Sequence, residues 1–337
     1  MQITQNYLTH LSADAPIYLF RITNKSGAYV EFLNYGARWI SAVVPDGEQQ
    51  LANVLVGYDD PKEYLTDTYY MGATIGRFAN RIKDAQFTIG NTVYKLDAND
   101  GANSNHGGKD GLHTKNWAWK ILPDGICFLT SSPNGEGGYP GHLLVQAFYQ
   151  WTEQNELIIT HHGFSDKATY LNMTNHAYFN LSGRVQPVTS HELMIPAHYL
   201  LETNQEFIPT GKRVPVGDTP FDFTEKKQIG KDMYLPNEQL TWNRGYNHCY
   251  VLKESKNEES VLAAFLTDPE SKRSLTVMTD LPGVLLYTAG YYKHPDTAVC
   301  FETQYFPDTP SHPDFPSCLL QPGEEYRQQT IYCFGNI

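Results

Sequence analysis

The chain has 337 residues, of which 41% are hydrophobic, 13% aromatic and only 18% charged, with 26 glycines and 20 prolines. Acidic residues outnumber basic ones 37 to 25, for a formal net charge of −12, which argues against nucleic acid, whose phosphates need a basic surface, and against an anionic membrane surface. A ligand should therefore be neutral or find a local basic pocket, and the frequent Gly, Pro and short polar turns favour a β-sandwich or barrel over a helical protein.

Met1 to Asn6 shows no basic stretch leading into an apolar run, and no segment reaches about 18 consecutive apolar residues, so a soluble, cytoplasmic protein is expected. The five cysteines (Cys127, Cys249, Cys300, Cys318, Cys333) are scattered, without Cys-x-x-Cys spacing, which fits free thiols in a reducing compartment. A chain of this length could hold two domains, but no linker, repeat or low-complexity tract divides it. Large all-β folds run to this size as one unit, so a single domain over 1–337 is expected.

Strand-like sequence begins at Ile17–Ile22, with Gly27–Leu33 as its hairpin partner across Asn24-Lys25-Ser26. Pro61–Leu65 predicts one helical turn with Asp60 as cap; helix is otherwise scarce. Phe87–Ile89 and Thr92–Leu96 flank Gly90-Asn91, a two-residue turn signal. Further strands are predicted at Trp117–Ile121, Ile126–Thr130, His142–Trp151, Leu157–His162, Leu275–Thr279, Val284–Thr288, Ala298–Phe306 and Gln328–Phe334, from their β-branched and aromatic content.

Two stretches carry chemistry. In Val299–Pro307, period 2 puts Val299, Phe301, Thr303 and Tyr305 on one face and Cys300, Glu302, Gln304 and Phe306 on the other. A carboxylate in so apolar a strand is costly unless it has partners or a chemical task. Alternation in Tyr170–Gly183, read as a second polar strand, sorts Asn172, Thr174, His176, Tyr178 and Asn180 onto one face. Leu171, Met173, Asn175, Ala177, Phe179 and Leu181 take the other. A face dense in Asn, Tyr and His but lacking Lys and Glu suits a sugar better than bulk water.

These segments, with others spaced along most of the chain, resemble the aldose 1-epimerase (galactose mutarotase) family. The motifs are Asn34-Tyr35-Gly36-Ala37-Arg38, Asn53-Val54-Leu55-Val56-Gly57-Tyr58, Gly72 to Ile82, Asn105-His106-Gly107-Gly108, Gly137 to Gly141, Thr174 to Leu181, Glu302-Thr303-Gln304 and Gln321-Pro322-Gly323-Glu324. The resemblance implies a large antiparallel β-sandwich with little helix, acting on a small reducing sugar, galactose or glucose first. It implies no cofactor and no metal; a monomer or homodimer is expected. The family reaction swaps the α and β anomers. A base removes the C1 hydroxyl proton, an acid protonates the ring oxygen, the ring opens, C1 rotates and the ring closes on its other face.

By that resemblance Glu302 is the base and His176 the acid, and their ordinary pKa values, near 4.3 and 6.5, need only modest tuning for those tasks. A nearby carboxylate also favours the imidazolium. His106 is implied at the sugar as a hydrogen-bond donor or second acid. Arg81, with the preceding Asn80, is implied in the sugar pocket, where a guanidinium suits neighbouring hydroxyls; Arg77 reads as structural support. Tyr178 and Gln304 are placed around the pocket. Many family members carry Asp where this chain has Asn247, which keeps an acceptor, gains donors and loses the charge; the sugar preference is left open by it. His248 reads as structural. Two rival readings stand beside this one. A glycoside hydrolase would need a second carboxylate besides Glu302, with Asp222 and Asp308 as weak candidates. A non-catalytic sugar-binding protein could use the same fold.

Overall fold

A computed structural model describes residues 1–183, 186–252 and 259–337. Three antiparallel sheets make up most of it. The N-terminal sheet has five strands in sequence order, Gln2–Ser12, Ala15–Thr23, Tyr29–Leu33, Arg38–Pro45 and Leu51–Asn53. A nine-stranded sheet runs Ala118–Leu122, Gly125–Ser132, Leu143–Trp151, Glu156–Ser165, Tyr326–Asn336, Arg273–Thr279, Val261–Thr267, Glu192–Met194 and Lys227–Gln228 in spatial order. The third, which carries the site, runs Pro209–Pro215, Tyr199–Thr203, Asn247–Val251, Gly283–Tyr287 and Cys300–Gln304.

One apolar core holds the sheets together. Leu143, Val145, Ala147, Tyr149 and Trp151 alternate into it from the nine-stranded sheet, Phe20, Ile22, Val30 and Phe32 from the N-terminal sheet, and Val284, Leu286 and Phe301 from the site sheet. The burial pattern of Leu143–Trp151 alternates strictly, as a strand buried on one face requires. The opposite face of the site sheet sends Cys249, Leu285, Tyr287 and Cys300 into a second cluster with Tyr178 and Tyr292. That face carries the functional cavity.

The expected antiparallel β-sandwich is therefore what forms. Hairpin pairing joins Thr23 to Tyr29 and Ile89 to Thr92 across the two predicted turns. Pro61–Thr66 is a 3₁₀ turn whose cap Asp60 accepts from the Lys62 N–H at 2.9 Å. One α-helix, Glu238–Asn243, is present among the described residues, capped by Asn237. Strands Gln2–Ser12, Arg38–Pro45, Tyr199–Thr203, Asn247–Val251 and Val261–Thr267 were not anticipated from sequence pattern.

Tyr170–Gly183 differs from the expected continuous strand. Only Thr169–Tyr170 and Thr174–Asn175 pair as short strands, with one isolated bridge at Asn172, to Phe78, and two at Phe179, to Leu55 and Val299. Its neighbours are irregular loops, so the backbone bonds go to scattered partners such as Ala79, Arg77 and Val54. The extended geometry still preserves the two faces: Leu171, Met173, Ala177, Phe179 and Leu181 enter the main core.

Candidate active site

Glu302 is central in Cys300–Gln304, the edge strand of the site sheet, directly opposite Leu285. Alternation sends Phe301 to the core and the Thr303 hydroxyl to Thr330 at 2.6 Å. The same alternation turns Glu302 into a cavity of about 260 Å³ lined also by His176, His106, Asn80, Arg81, Tyr178 and Asn247. Sequence reasoning thus placed seven of the eight site residues on one surface. The eighth, Gln304, is fully buried but does not line the cavity. It sits one pleat repeat further along, roughly 7 Å, and its amide has no hydrogen-bond partner among the described residues.

His176 Nε2 lies 3.5 Å from Glu302 Oε1, with the two side chains 5% and 2% exposed. The backbone of His176 is pinned from both directions: its carbonyl accepts from Gly72 N–H and its N–H donates to the Ala73 carbonyl. The imidazole stacks on Tyr178 at 5.1 Å and runs nearly parallel to Tyr70 at 6.0 Å. Tyr178 is itself anchored, its hydroxyl donating to the Tyr69 carbonyl at 2.9 Å. Burial pushes the Glu302 carboxyl above the usual range, and the charges of His176 and Arg81 pull it part of the way back.

His106 sits in the left-handed region at φ 52°, followed by Gly107 and Gly108 at φ 84°. A Cβ on Gly107 would lie 2.0 Å from the Gly76 carbonyl oxygen, so only glycine allows this loop to approach Gly76-Arg77. His106 Nδ1 accepts from the Asn80 N–H at 3.2 Å. Burial first, then the charges of His176, Arg81 and His113, hold His106 well below its ordinary value. It is therefore neutral near pH 7, and with Nδ1 an acceptor its proton is on Nε2. In that form it presents an N–H donor.

Asn80, at φ 67°, accepts the Arg81 N–H on its side chain at 2.8 Å, which turns the chain so that Arg81 enters the cavity. Arg81 Nε donates to Asp100 Oδ2 at 2.7 Å, and its guanidinium lies 4.9 Å over the Phe207 ring. Arg77 points elsewhere. Its guanidinium is spent on Ser132 and the carbonyls of Ser132, Pro133, Pro140 and Gly141, a structural clamp. Asn247 is the first residue of its strand, paired with Tyr287, and half-buried at the cavity wall. His248 is buried against Phe221 and pushed down to about 3 by burial, in keeping with a structural role.

Sequence reasoning missed Tyr69, Tyr70, Asp100, Phe207, Tyr287 and Tyr291, all of which line the cavity. Tyr70 is the hub of the aromatic wall, 4.6 Å from His106 and 4.8 Å from His113. The only available signal for the four tyrosines was the general richness in tyrosine; Asp100 and Phe207 had none. Ligand atoms of His106, His176 and Glu302 lie within 4.8 Å of one another, so these three side chains could also hold a metal ion.

A family model described as aldose 1-epimerase matches residues 18–333. The chain belongs to the aldose 1-epimerase family. It is 36% identical over 320 residues to the galactose mutarotase of Sus scrofa, covering 91% of each chain. It is 31% identical over 332 residues to the aldose 1-epimerase of Escherichia coli K12, covering 95% of each. Among solved structures, an aldose epimerase homologue from C. elegans superposes with a TM-score of 0.87 at 29% identity, over 94% of this chain and 98% of that one. The galactose 1-epimerase of Lactobacillus acidophilus gives 0.87 at 26%, over 99% of both. Aldose 1-epimerases share this sandwich, and no helix among the described residues is long and apolar enough to cross a membrane.

Proposed function

We propose that the protein interconverts the anomers of a neutral aldohexose, galactose or glucose, with Glu302 as base and His176 as acid. The observation that carries this reading is the 3.5 Å pair at the buried floor of the cavity. The two oxygens that exchange protons, the C1 hydroxyl and the ring oxygen, share one carbon, so their base and acid must be neighbours. Glu302 takes the C1 hydroxyl proton while His176 protonates the ring oxygen, and the ring opens. The aldehyde rotates about C1–C2. Protonated Glu302 and neutral His176 are then the acid and base that closing requires, so the resting states are restored. Each proton transfer contributes roughly 10²–10⁴-fold.

Around that pair His106 donates from Nε2, and Arg81, Asn80 and Asn247 bond hydroxyls, with Tyr178 holding the His176 ring. Gln304, buried off the cavity lining, is given no contact with sugar. The −12 charge and the free cysteines support a neutral substrate and a cytoplasmic setting.

The hydrolase reading is less well supported. Asp222 is bonded to Thr224, and Asp308 to Lys83 N–H and Ser311, and neither lines the cavity; the second carboxylate that does, Asp100, is ion-paired to Arg81 at 2.7 Å and 42% exposed at the mouth, away from the buried Glu302. A module that only binds sugar would not need an acid and a base in contact. The test is exchange spectroscopy, or polarimetry of freshly dissolved pure anomers, on protein before and after exhaustive EDTA. Accelerated mutarotation that survives EDTA is expected. Loss of activity restored by a divalent ion would move the chemistry onto a metal held by His106, His176 and Glu302, and new reducing ends released from a glycoside would favour hydrolysis.

Asn247 offers a test of the wall. An Asp there adds a second negative charge near Glu302, which raises the Glu302 pKa further. Because the base works ionised, the acidic limb of the kcat/KM profile should move to higher pH in Asn247→Asp. Asn247→Ala should lose one neutral hydrogen bond, about 0.5–1.5 kcal/mol, hence a KM increase of about tenfold at most. Superimposable acidic limbs together with an unchanged KM would take Asn247 out of the site.

A further inference from the structure

We infer that Arg81 and Asp100 together form a clamp for two adjacent sugar hydroxyls, and that Asp100 selects for a free hydroxyl on the C3–C4 edge of the sugar. The inference rests on Glu302 and His176 being the base and acid. Of the side chains lining the cavity, only Glu302 and Asp100 carry carboxylates. Asp100 is held rigidly by a tight turn in which its N–H donates to the Asn103 carbonyl and the Asn103 N–H donates back. Its Oδ2 accepts from Arg81 Nε at 2.7 Å, while Oδ1 has no hydrogen-bond partner among the described residues. The guanidinium has its plane set by Phe207 and one edge set by Asp100. Its two Nη groups have no hydrogen-bond partner among the described residues. A preorganised donor and acceptor thus stand side by side on one wall.

Exposure orders the cavity from floor to mouth: Glu302 2%, His176 5%, Arg81 13%, Asp100 42%. In a pyranose, C4 lies across the ring from C1, and C3 across from the ring oxygen. With C1 and the ring oxygen on the acid–base pair at the floor, the C3–C4 edge must face the mouth, where Arg81 and Asp100 stand. A hydroxyl both donates and accepts. Adjacent hydroxyls can accept from Arg81 Nη and donate to Asp100 Oδ1, a charge-assisted bond. A substituent on O4, as in a 4-linked reducing disaccharide, removes the donated hydrogen and collides with the clamp.

The test is a cycle of enzyme variant against substrate, read by NMR exchange between anomers. The substrates are D-glucose, 3-deoxy-D-glucose, 4-deoxy-D-glucose and a disaccharide substituted at O4 of its reducing glucose. Wild type should lose about tenfold or more in kcat/KM on at least one deoxy sugar and on the disaccharide. Asp100→Ala should raise KM for glucose about tenfold with kcat changed much less, and the penalty for that deoxy sugar should shrink to a few-fold, because the lost partners are the same. Asp100→Asn keeps the shape and one acceptor, so it should fall between the two, and it carries the test if the alanine variant folds poorly. Unchanged KM in both variants, or deoxy penalties that multiply in full with the Asp100→Ala loss, would overturn the clamp and leave Asp100 as a support for Arg81. Glu302→Gln in the same assay separates the two levels. If it turns over like wild type, the acid–base reading and the orientation fail together; if it is inactive while Asp100 variants behave as wild type, only the clamp fails.

Discussion

Glu302→Gln should lower kcat by about 10²–10⁴-fold with KM changed far less, because the amide keeps the shape of the side chain and cannot take the C1 hydroxyl proton. The same substitution should raise thermal stability near neutral pH. Burial holds the folded-state pKa of Glu302 above its unfolded value. A raised pKa means that the folded state binds the proton more tightly, so the stability from this group is present below the unfolded carboxylate value and is lost as pH rises through the folded one. The ionised form of Glu302 is a charge at a site 2% exposed, disfavoured by burial, and Gln removes that penalty. Melting curves for the two proteins should diverge at neutral pH and converge in acid. A variant retaining more than about a tenth of wild-type kcat would exclude Glu302 as the base.

This opposition between stability and function was partly legible in the chain. A single carboxylate inside Val-Cys-Phe-Glu-Thr-Gln announces a cost, and period 2 correctly separated Glu302 from Phe301 and Thr303. The hairpins were legible because Gly90-Asn91 and Asn24-Lys25-Ser26 are local signals. Gln304 was misplaced because alternation assigns a face and not a depth along the strand. Tyr170–Gly183 was overread as a strand because sequence alternation reports extended backbone and not the pairing partner, which here is a set of loops. Asp100 and Phe207 were invisible. Each sits at a turn, Asp100–Asn103 and Asn204–Phe207, with no periodic pattern, and reaches Arg81 only after long-range folding. The clustering of Tyr70 with three histidines has the same origin, since residues 70, 106, 113 and 176 meet only in the folded chain.

His176→Asn should produce a loss of similar size, about 10²–10⁴-fold in kcat, but with a second signature that a structural defect would not give. His176 is one of the two groups that pull the Glu302 pKa down against burial. Its removal leaves the carboxylate in a cavity with one compensating charge, that of Arg81. The Glu302 pKa should then rise, and since only ionised Glu302 accepts the proton, the acidic limb of the residual kcat/KM profile should move to higher pH than in wild type. Asparagine can still accept and donate hydrogen bonds, and the backbone bonds to Gly72 and Ala73 do not involve the side chain, so the loop should remain in place. Tyr178 loses its stacking partner but keeps its bond to the Tyr69 carbonyl. A pH series on residual activity, run beside Glu302→Gln, reads both effects. A large fall in kcat with the acidic limb moved upward fits an acid that also tunes its neighbouring base. Wild-type kcat with an unmoved limb would remove His176 from the reaction, and the proton to the ring oxygen would have to come from a different group on the cavity wall.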